Sequence, residues 1–435
     1  MDPFSPFSVF LLQAANPSLL LPNLKALRWY PAARLNQSQH SISFIRRFLT
    51  PSLVSLDVTL LSGTDDVTLQ SFFADHPFLC PNLTSIVLDI IYIGEHRQLS
   101  PMATKALSRA ITHHEHPEYL DISIPIDDAA LTHIAMSPKL KKLALVLHPD
   151  KSKLHQVCVS SDMIPFRNVE HLSLHVWDLY FITSLLRNKD QMFRSFVLRP
   201  YSSRPPTEAV FALFTALASP QRTRSLQSID LKLNFFPVDW HRFSPAELDE
   251  LAMGHHLTYN TFRPLSSLCH LRELVIDLGC WFSIDDDDLL SLTRNWPSLR
   301  VLHLNCERYV DVYIWRSAKY VTFRGLLSLL ECCPDLHSLC LPLDAREVPV
   351  NTGDIICNPA LVYICVPRSP ISDPGLVGGI LSRHFPSVTR VTFPLYHEVE
   401  DPEITKYIDL WDDVNTNLWY KHFHCYDGPA LLTTC

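Results

Sequence analysis

Thirteen times along the chain an apolar residue is followed three positions later by a second and two after that by a third. Leu24–Leu27–Trp29 opens the series, followed by Leu53–Leu56–Val58, Leu83–Ile86–Leu88, Tyr119–Ile122–Ile124, Leu140–Leu143–Leu145, Val169–Leu172–Leu174 and Phe193–Phe196–Leu198. Leu226–Ile229–Leu231, Leu271–Leu274–Ile276, Leu299–Leu302–Leu304, Leu336–Leu339–Leu341, Leu361–Ile364–Val366 and Val388–Val391–Phe393 complete it. Each triplet reads as a short strand whose apolar members point one way and whose intervening residues point the other. First positions lie on average about 30 residues apart, room for one strand and one return segment. A unit this small cannot bury its apolar face alone and must stack on its neighbours, so the pattern constrains the fold more tightly than composition does.

The return segments read as helices. Phe323, Leu326, Leu327 and Leu330 fall at i, i+3, i+4 and i+7, one helix face, and Cys333-Pro334 stops it. Leu289, Leu292 and Trp296 repeat the logic after the Asp285–Asp288 run, and Asp373-Pro374 is a helix start, with Asp as N-cap and Pro in the first turn. Strand, helix, strand in one unchanging order predicts parallel strands with right-handed crossovers. The predicted fold is therefore α/β, a leucine-rich-repeat solenoid: a right-handed horseshoe of parallel strands with helices on the convex face, in about 13 irregular repeats. Residues 1–22 form an N-terminal lead or cap, 23–395 the solenoid and 396–435 an acidic C-terminal cap or tail, in which Trp411, Val414, Leu418 and Trp419 have helix-like spacing. The long gap at 236–264 reads as a surface insertion, with Ser244 to Leu251 as its own helix. The Asn that usually follows the strand of such repeats is clear only at Asn234.

Composition narrows the function. Only 10 of 435 residues are Gly, and the chain contains no G-x-x-x-x-G-K-S/T, G-x-G-x-x-G or G-x-S-x-G, so nucleotide cradles and the common hydrolase elbow lose support. A net charge of −8 disfavours nucleic acid as a partner. The twelve Cys include no C-x-x-C, and several, such as Cys306, Cys340 and Cys365, fall at apolar repeat positions, as reduced, buried thiols do. The first Lys is Lys25, prolines break the apolar start, and no apolar run is long enough to span a bilayer. Cytoplasm or nucleus is the expected location, and the sequon at Asn82 is a poor glycan site because a strand follows it.

Candidate chemical sites reduce to structural readings. The Asp285–Asp288 run suits a helix start, where the dipole favours negative charge. His113-His114-Glu115-His116 matches neither H-E-x-x-H nor H-x-x-E-H and precedes Pro117 at a helix end. His422-Phe423-His424-Cys425 lies in the tail. No catalytic residue, metal ligand or cofactor is expected. The candidate binding surface is the concave face, made of the residues between and just after the inward leucines: Arg28, Tyr30, Asp57, Asp89, His171, His175, Arg199, Asp230, Lys232, Asp277, His303, Asn305 and Tyr363. Tyr and Arg are enriched among the anchors of protein interfaces.

Leu21-Pro22-Asn23-Leu24-Lys25-Ala26-Leu27-Arg28-Trp29, Cys80-Pro81-Asn82-Leu83-Thr84-Ser85-Ile86 and Cys333-Pro334-Asp335-Leu336-His337-Ser338-Leu339 carry a resemblance over about residues 5–395. The chain resembles F-box/leucine-rich-repeat proteins, and more narrowly the F-box-like families of mushroom-forming fungi. The resemblance implies a protein substrate bound by the repeats and an F-box that docks on the adaptor of a cullin–RING (SCF) ubiquitin ligase. The twenty or so residues before the first repeat are too few for an F-box, so contact with the adaptor would require one upstream of Met1. The expected function is non-enzymatic protein binding, as the substrate-recognition arm of such a receptor. The alternatives are a stand-alone repeat scaffold unrelated to ubiquitin and an enzyme with an unrecognised His/Asp site.

Overall fold

The computed structural model describes residues 21, 23–30, 42, 45–61, 66–91, 100–147, 165–187, 191–201, 204–233, 254–304, 319–349, 357–393 and 402–424, the last four by backbone alone. The chain is α/β, with thirteen parallel strands in chain order, one for each apolar triplet. It divides into two compact units, Met1–Trp177 with Asn188–Phe193, and Asp178–Arg187 with Arg194–Cys435.

The first unit contains β1 (Ala26–Trp29), β2 (Ser55–Leu61), β3 (Ser85–Ile91), β4 (Tyr119–Ile122), β5 (Lys142–Leu147) and β6 (His171–Val176). Their register places Leu27, Leu56, Ile86, Leu120, Leu143 and Leu172 in one row and Val58, Leu88, Ile122, Leu145 and Leu174 in the next. From β2 onward these residues are buried. The fourth triplet is therefore out of phase with the structure: Leu120 and Ile122, not Ile122 and Ile124, take the inward positions, and Tyr119 sits on the opposite face beside Ser85 and Lys142. Helices α1 (Asp66–Leu79), α2 (Pro101–His113) and α3 (Asp128–Met136) return between strands, and their buried residues, such as Leu69, Phe72, Phe73, Leu107, Ile111, Leu131 and Ile134, complete the core.

The second unit contains the parallel strands β7 (Ser195–Pro200), β8 (Ser228–Lys232), β10 (Glu273–Asp277), β12 (Val301–Leu304), β14 (Ser338–Cys340), β16 (Tyr363–Cys365) and β17 (Val391–Thr392). Ile229, Leu274, Leu302, Leu339, Ile364 and Val391 form its central row. Its helices are α4 (Leu179–Arg187), α5 (Thr207–Leu217), α6 (Tyr259–Phe262), α7 (Asp286–Thr293), α8 (Phe323–Cys332), α9 (Pro374–His384) and α10 (Pro402–His424). The predicted helix signals hold. Phe323, Leu326, Leu327 and Leu330 are buried, Asp373 accepts from Leu376 N at 2.9 Å, and Asp285 caps α7 by accepting from Asp288 N at 2.9 Å.

Two short pairs lie beside this frame, β9 (His256–Thr258) with β11 (Trp281–Ser283), and β13 (Val321–Thr322) with β15 (Leu343–Asp344). The described end of the 236–264 segment is thus part of the core rather than a surface excursion. Phe262 is 1% exposed, and its ring lies 5.6 Å from those of Phe214 and Phe282. Asn234, Cys306 and Ser244 to Leu251 fall outside the described residues.

One backbone motif recurs at ten of the junctions between successive strands. Lys25 O accepts from both Val54 N and Ser55 N, and the pattern recurs at Val54, Thr84, Glu118 and Lys141. In the second unit the acceptors are Arg194, Gln227, Arg272, Arg300 and His337. The doubled bond satisfies both amides as the chain enters each strand, leaving no orphan donor at the turn. Asn82 and Asn168 add side-chain ties at 2.8 and 2.7 Å to the Pro51 and Pro138 carbonyls. Asn82 is thereby tied to the preceding repeat.

Helix α10 lies against α9 and β17. Ile404, Tyr407, Trp411, Val414 and Leu418 are buried along one face, and Trp411 Nε1 donates to Ser369 O at 2.8 Å. Asn415 pairs with the backbone of Val391, accepting from its N at 2.7 Å and donating to its O at 3.0 Å, as a further strand would. That side chain blunts the edge of β17. Trp419, grouped by spacing with the buried set, instead lies outward, half exposed beside Tyr420. Among the described residues no helix is long and apolar enough to cross a membrane.

Candidate functional site: the strand face opposite the leucines

The residues between the inward leucines form, in each unit, a face of half-buried polar and aromatic side chains. In the first unit it centres on Asp57 (β2), Asp89 (β3) and Asp121 (β4). Asp57 accepts from Arg28 Nε at 2.9 Å and Tyr30 OH at 3.1 Å. Asp89 accepts from Ser123 Oγ at 2.5 Å and Ile90 N at 2.8 Å, and Tyr119 OH donates to Asp121 at 3.2 Å. Burial raises the pKa of Asp121 against the lowering effect of the Tyr119 bond, and the charges of Asp89 and Asp57 raise it further. Burial and the Asp121 carboxylate push Tyr119 up to about 12, and the hydrogen bond to Asp57 raises Tyr30. Three carboxylates lie on the patch, with the Arg28 guanidinium at its edge and Lys142 beside Tyr119. His171 is exposed and His175 half-buried on β6.

In the second unit Arg199 reaches from β7 to β8, where Nη2 meets Asp230 Oδ2 at 2.6 Å and Nη1 donates to the Asp230 carbonyl at 3.0 Å. Two strands further, His303 Nε2 pairs with Ser338 Oγ at 2.7 Å, and its ring lies 6.0 Å from that of Tyr363. Burial lowers the pKa of His303, the Lys232 ammonium lowers it further and Asp230 opposes. Lys232 is half-buried and Tyr363 is 39% exposed. Asp277, expected on this face, is only 2% exposed and is not presented to a partner. Asn305 lies outside the described residues.

The geometry brings Arg28, Tyr30, Asp57 and Asp89 together in the first unit, and Arg199 with Asp230 and His303 with Tyr363 in the second. Sequence reasoning missed Asp121 and Tyr119 because the fourth triplet is phased two residues late; Ser123 falls on this face in either phase. Cys340 and Cys365 were also read differently: they register with His303 rather than with the leucines, so they line the open face, at 1% and 3% exposure.

Chemically, the Ser338–His303 contact offers a hydroxyl beside an imidazole. Among the described residues no third group hydrogen-bonds the ring, and Asp230 Oδ2 is taken by Arg199. The Asp285–Asp288 run is committed to structure: Asp285 and Asp288 form a capping box, and Asp286 holds Thr322 and Arg324. His114 is buried at the C-terminus of α2, with Nε2 3.2 Å from His76 Nε2. Among the described residues no group of three or more His, Cys, Asp or Glu could hold a metal. The side chains of His422 and His424 lie outside the described residues.

Thirteen parallel strands, a repeated junction and a polar strand face define an α/β protein built by stacking like units. The chain matches no protein-family model, and no curated protein matches it to a significant degree.

Proposed function

We propose that the chain is a non-enzymatic binding module, a leucine-rich-repeat solenoid of about thirteen irregular repeats whose open strand face takes a protein partner. The observation that carries this reading is the recurrence of one strand-and-junction pattern through both units, with polar and aromatic side chains alternating against the leucines. Stacked repeats of this kind offer an extended surface rather than a closed cavity. Tyr30, Arg28, Arg199 and Tyr363 supply the side-chain types that anchor protein interfaces. By its resemblance to F-box/leucine-rich-repeat proteins, the partner is the substrate of a cullin–RING ubiquitin ligase, and the chain is the receptor's recognition arm.

Affinity capture of the tagged chain tests both levels. Co-recovery of a partner that is lost in the Arg28→Ala, Tyr30→Ala and Tyr363→Ala variants supports the open face. Recovery of the ligase adaptor and cullin supports the receptor reading. Their consistent absence while the face-dependent partner is still captured would leave a scaffold unrelated to ubiquitin.

A further inference from the structure

The open face of the second unit carries a pair of thiols that the binding reading leaves unused. Cys340 on β14 and Cys365 on β16 are Cα partners in the register, so their side chains emerge side by side from neighbouring parallel strands. Neighbouring strands lie about 4.8 Å apart, inside the roughly 4.4–6.8 Å that disulfide-linked Cα atoms take. Cys340 and Tyr363 are the side chains whose hydrogen bonding shifts the Cys365 thiol.

These surroundings distinguish Cys365 from the other buried thiols. The hydrogen bond from Cys340 and, behind it, that from Tyr363 lower the Cys365 pKa against the effect of burial. Burial pushes Cys80 up to about 11, and Cys280 and Cys333 up to about 12. The thiolate is the reactive form, so Cys365 is a better nucleophile than Cys80, Cys280 or Cys333, and Cys340 beside it is the thiol placed to resolve it. Tyr363 is 39% exposed and His303 half-buried, so the pair lies beneath solvent-facing side chains rather than in the leucine core.

We propose that Cys340 and Cys365 are a redox-modification site that closes to a reversible disulfide under peroxide. The Cys365 thiolate attacks one peroxide oxygen, the O–O bond breaks, and hydroxide leaves as water after taking a proton. Cys340 sulfur then attacks the Cys365 sulfenic acid, the S–O bond breaks, and a second water leaves with the Cys340 proton. Two thiols are oxidised by two electrons and one peroxide is reduced to two waters. In-register parallel strands hold Cβ atoms at about the strand spacing, beyond the roughly 3.5–4.5 Å of a relaxed disulfide. Closing the bond draws the strands together and leaves it easy to reduce, as regulatory disulfides are.

The test is peptide mass spectrometry of the full native chain after graded hydrogen peroxide and alkylation. The expected result is a Cys340–Cys365 cross-linked peptide that forms with unchanged circular dichroism and is reversed by dithiothreitol. In Cys340→Ser the resolving thiol is gone, and Cys365 sulfenic acid should be trapped by dimedone. The proposal is overturned if both thiols remain alkylatable while the exposed Cys269 and Cys357 oxidise, or if either pairs with another cysteine. Should Cys340→Ser not fold, the measurement on the unaltered chain decides alone.

Discussion

The imidazoles of His76 and His114 meet Nε2 to Nε2 at 3.2 Å, in a space where both residues are almost wholly buried. His76 Nδ1 lies 3.2 Å from the Phe73 carbonyl, which can only accept, so His76 carries its proton on Nδ1 and its Nε2 is the acceptor. His114 must then donate from Nε2. A proton on His76 would enter at Nε2 and set two donors against each other, whereas one on His114 would enter at Nδ1 and leave a charge in the buried space. Burial, reinforced by the neighbouring histidines, accordingly holds His76 down to about 3 and His114 to about 4, from an ordinary 6.5.

Acid should therefore destabilise the chain through this pair. Below pH 6.5 the unfolded chain binds protons that the folded one refuses, so the stabilisation is complete above that pH and is lost as pH falls toward 4. Each histidine costs about 1.4 kcal/mol per pH unit in this window. Urea midpoints at pH 7, 5.5 and 4.5 should fall steeply for the native chain and less steeply for His76→Phe. Parallel slopes for the two proteins would show that the pair does not couple to folding.

Leu302 and Leu339 are register partners and are 1% and 2% exposed. Replacing either with Ala should cost about 2–5 kcal/mol, the transfer term plus the cavity left behind. Arg28 pairs with Asp57, but its side chain is 73% exposed. Arg28→Ala should change stability by at most about 1 kcal/mol. Denaturant unfolding of the three variants checks the strand assignment directly.

Gly325 has a packing reason to be Gly. A Cβ there would meet the Asp286 carboxylate and lie 2.9 Å from Val321 Cγ1. Asp286 cannot withdraw easily, because it accepts from Thr322 N and Oγ1 at 2.7 Å each and from Arg324 Nε at 3.1 Å. Gly325→Ala should therefore destabilise by about 1–3 kcal/mol, although Ala is the better helix former. Combined with Asp286→Ala, the loss should fall short of the sum of the single losses, because the obstructing carboxylate is gone. Additivity in that double-mutant cycle would refute the clash.

Arg222 is fully buried, and its guanidinium donates to the Ala216 carbonyl, to Ser219 Oγ at 3.0 Å and to Leu186 O at 2.6 Å. Ala216 and Leu186 lie in the last turns of α5 and α4, where carbonyls lack helical partners and the dipole is negative. Arg222→Met should cost about 3 kcal/mol or more by stranding those carbonyls, and Arg222→Lys should recover little, because an ammonium lacks the fork that reaches both helix ends. Thermal unfolding of the two variants side by side tests this. Equal stability of the Lys variant and the native chain would show that charge alone suffices.

Much of the frame was legible in the residues. Val301, Leu302, His303 and Leu304 alternate as a strand must, and Phe323 to Leu330 repeats as a helix must, because burial on one side imposes a period of its own on each element. The fourth triplet misled because Tyr119, Leu120, Ile122, Ile124 and Ile126 offer two overlapping phases, and only pairing with Ile86 and Leu88 selects one. Trp419 misled because adjacent residues on a helix face different ways, and Leu418 had already taken the buried side.

Local periodicity, helix-start chemistry and the uniform order of elements thus determined that this chain is α/β with parallel strands, because those features depend on neighbours a few residues apart. Only the tertiary structure decided which side chains meet. The stacking register brought His76 to His114, Asp286 to Gly325, Arg222 to two helix ends and Cys340 to Cys365. Apart from Arg222 with Ala216, those pairs are separated by tens of residues, and their contact depends on how many residues each intervening turn spends, a quantity that apolar spacing does not encode.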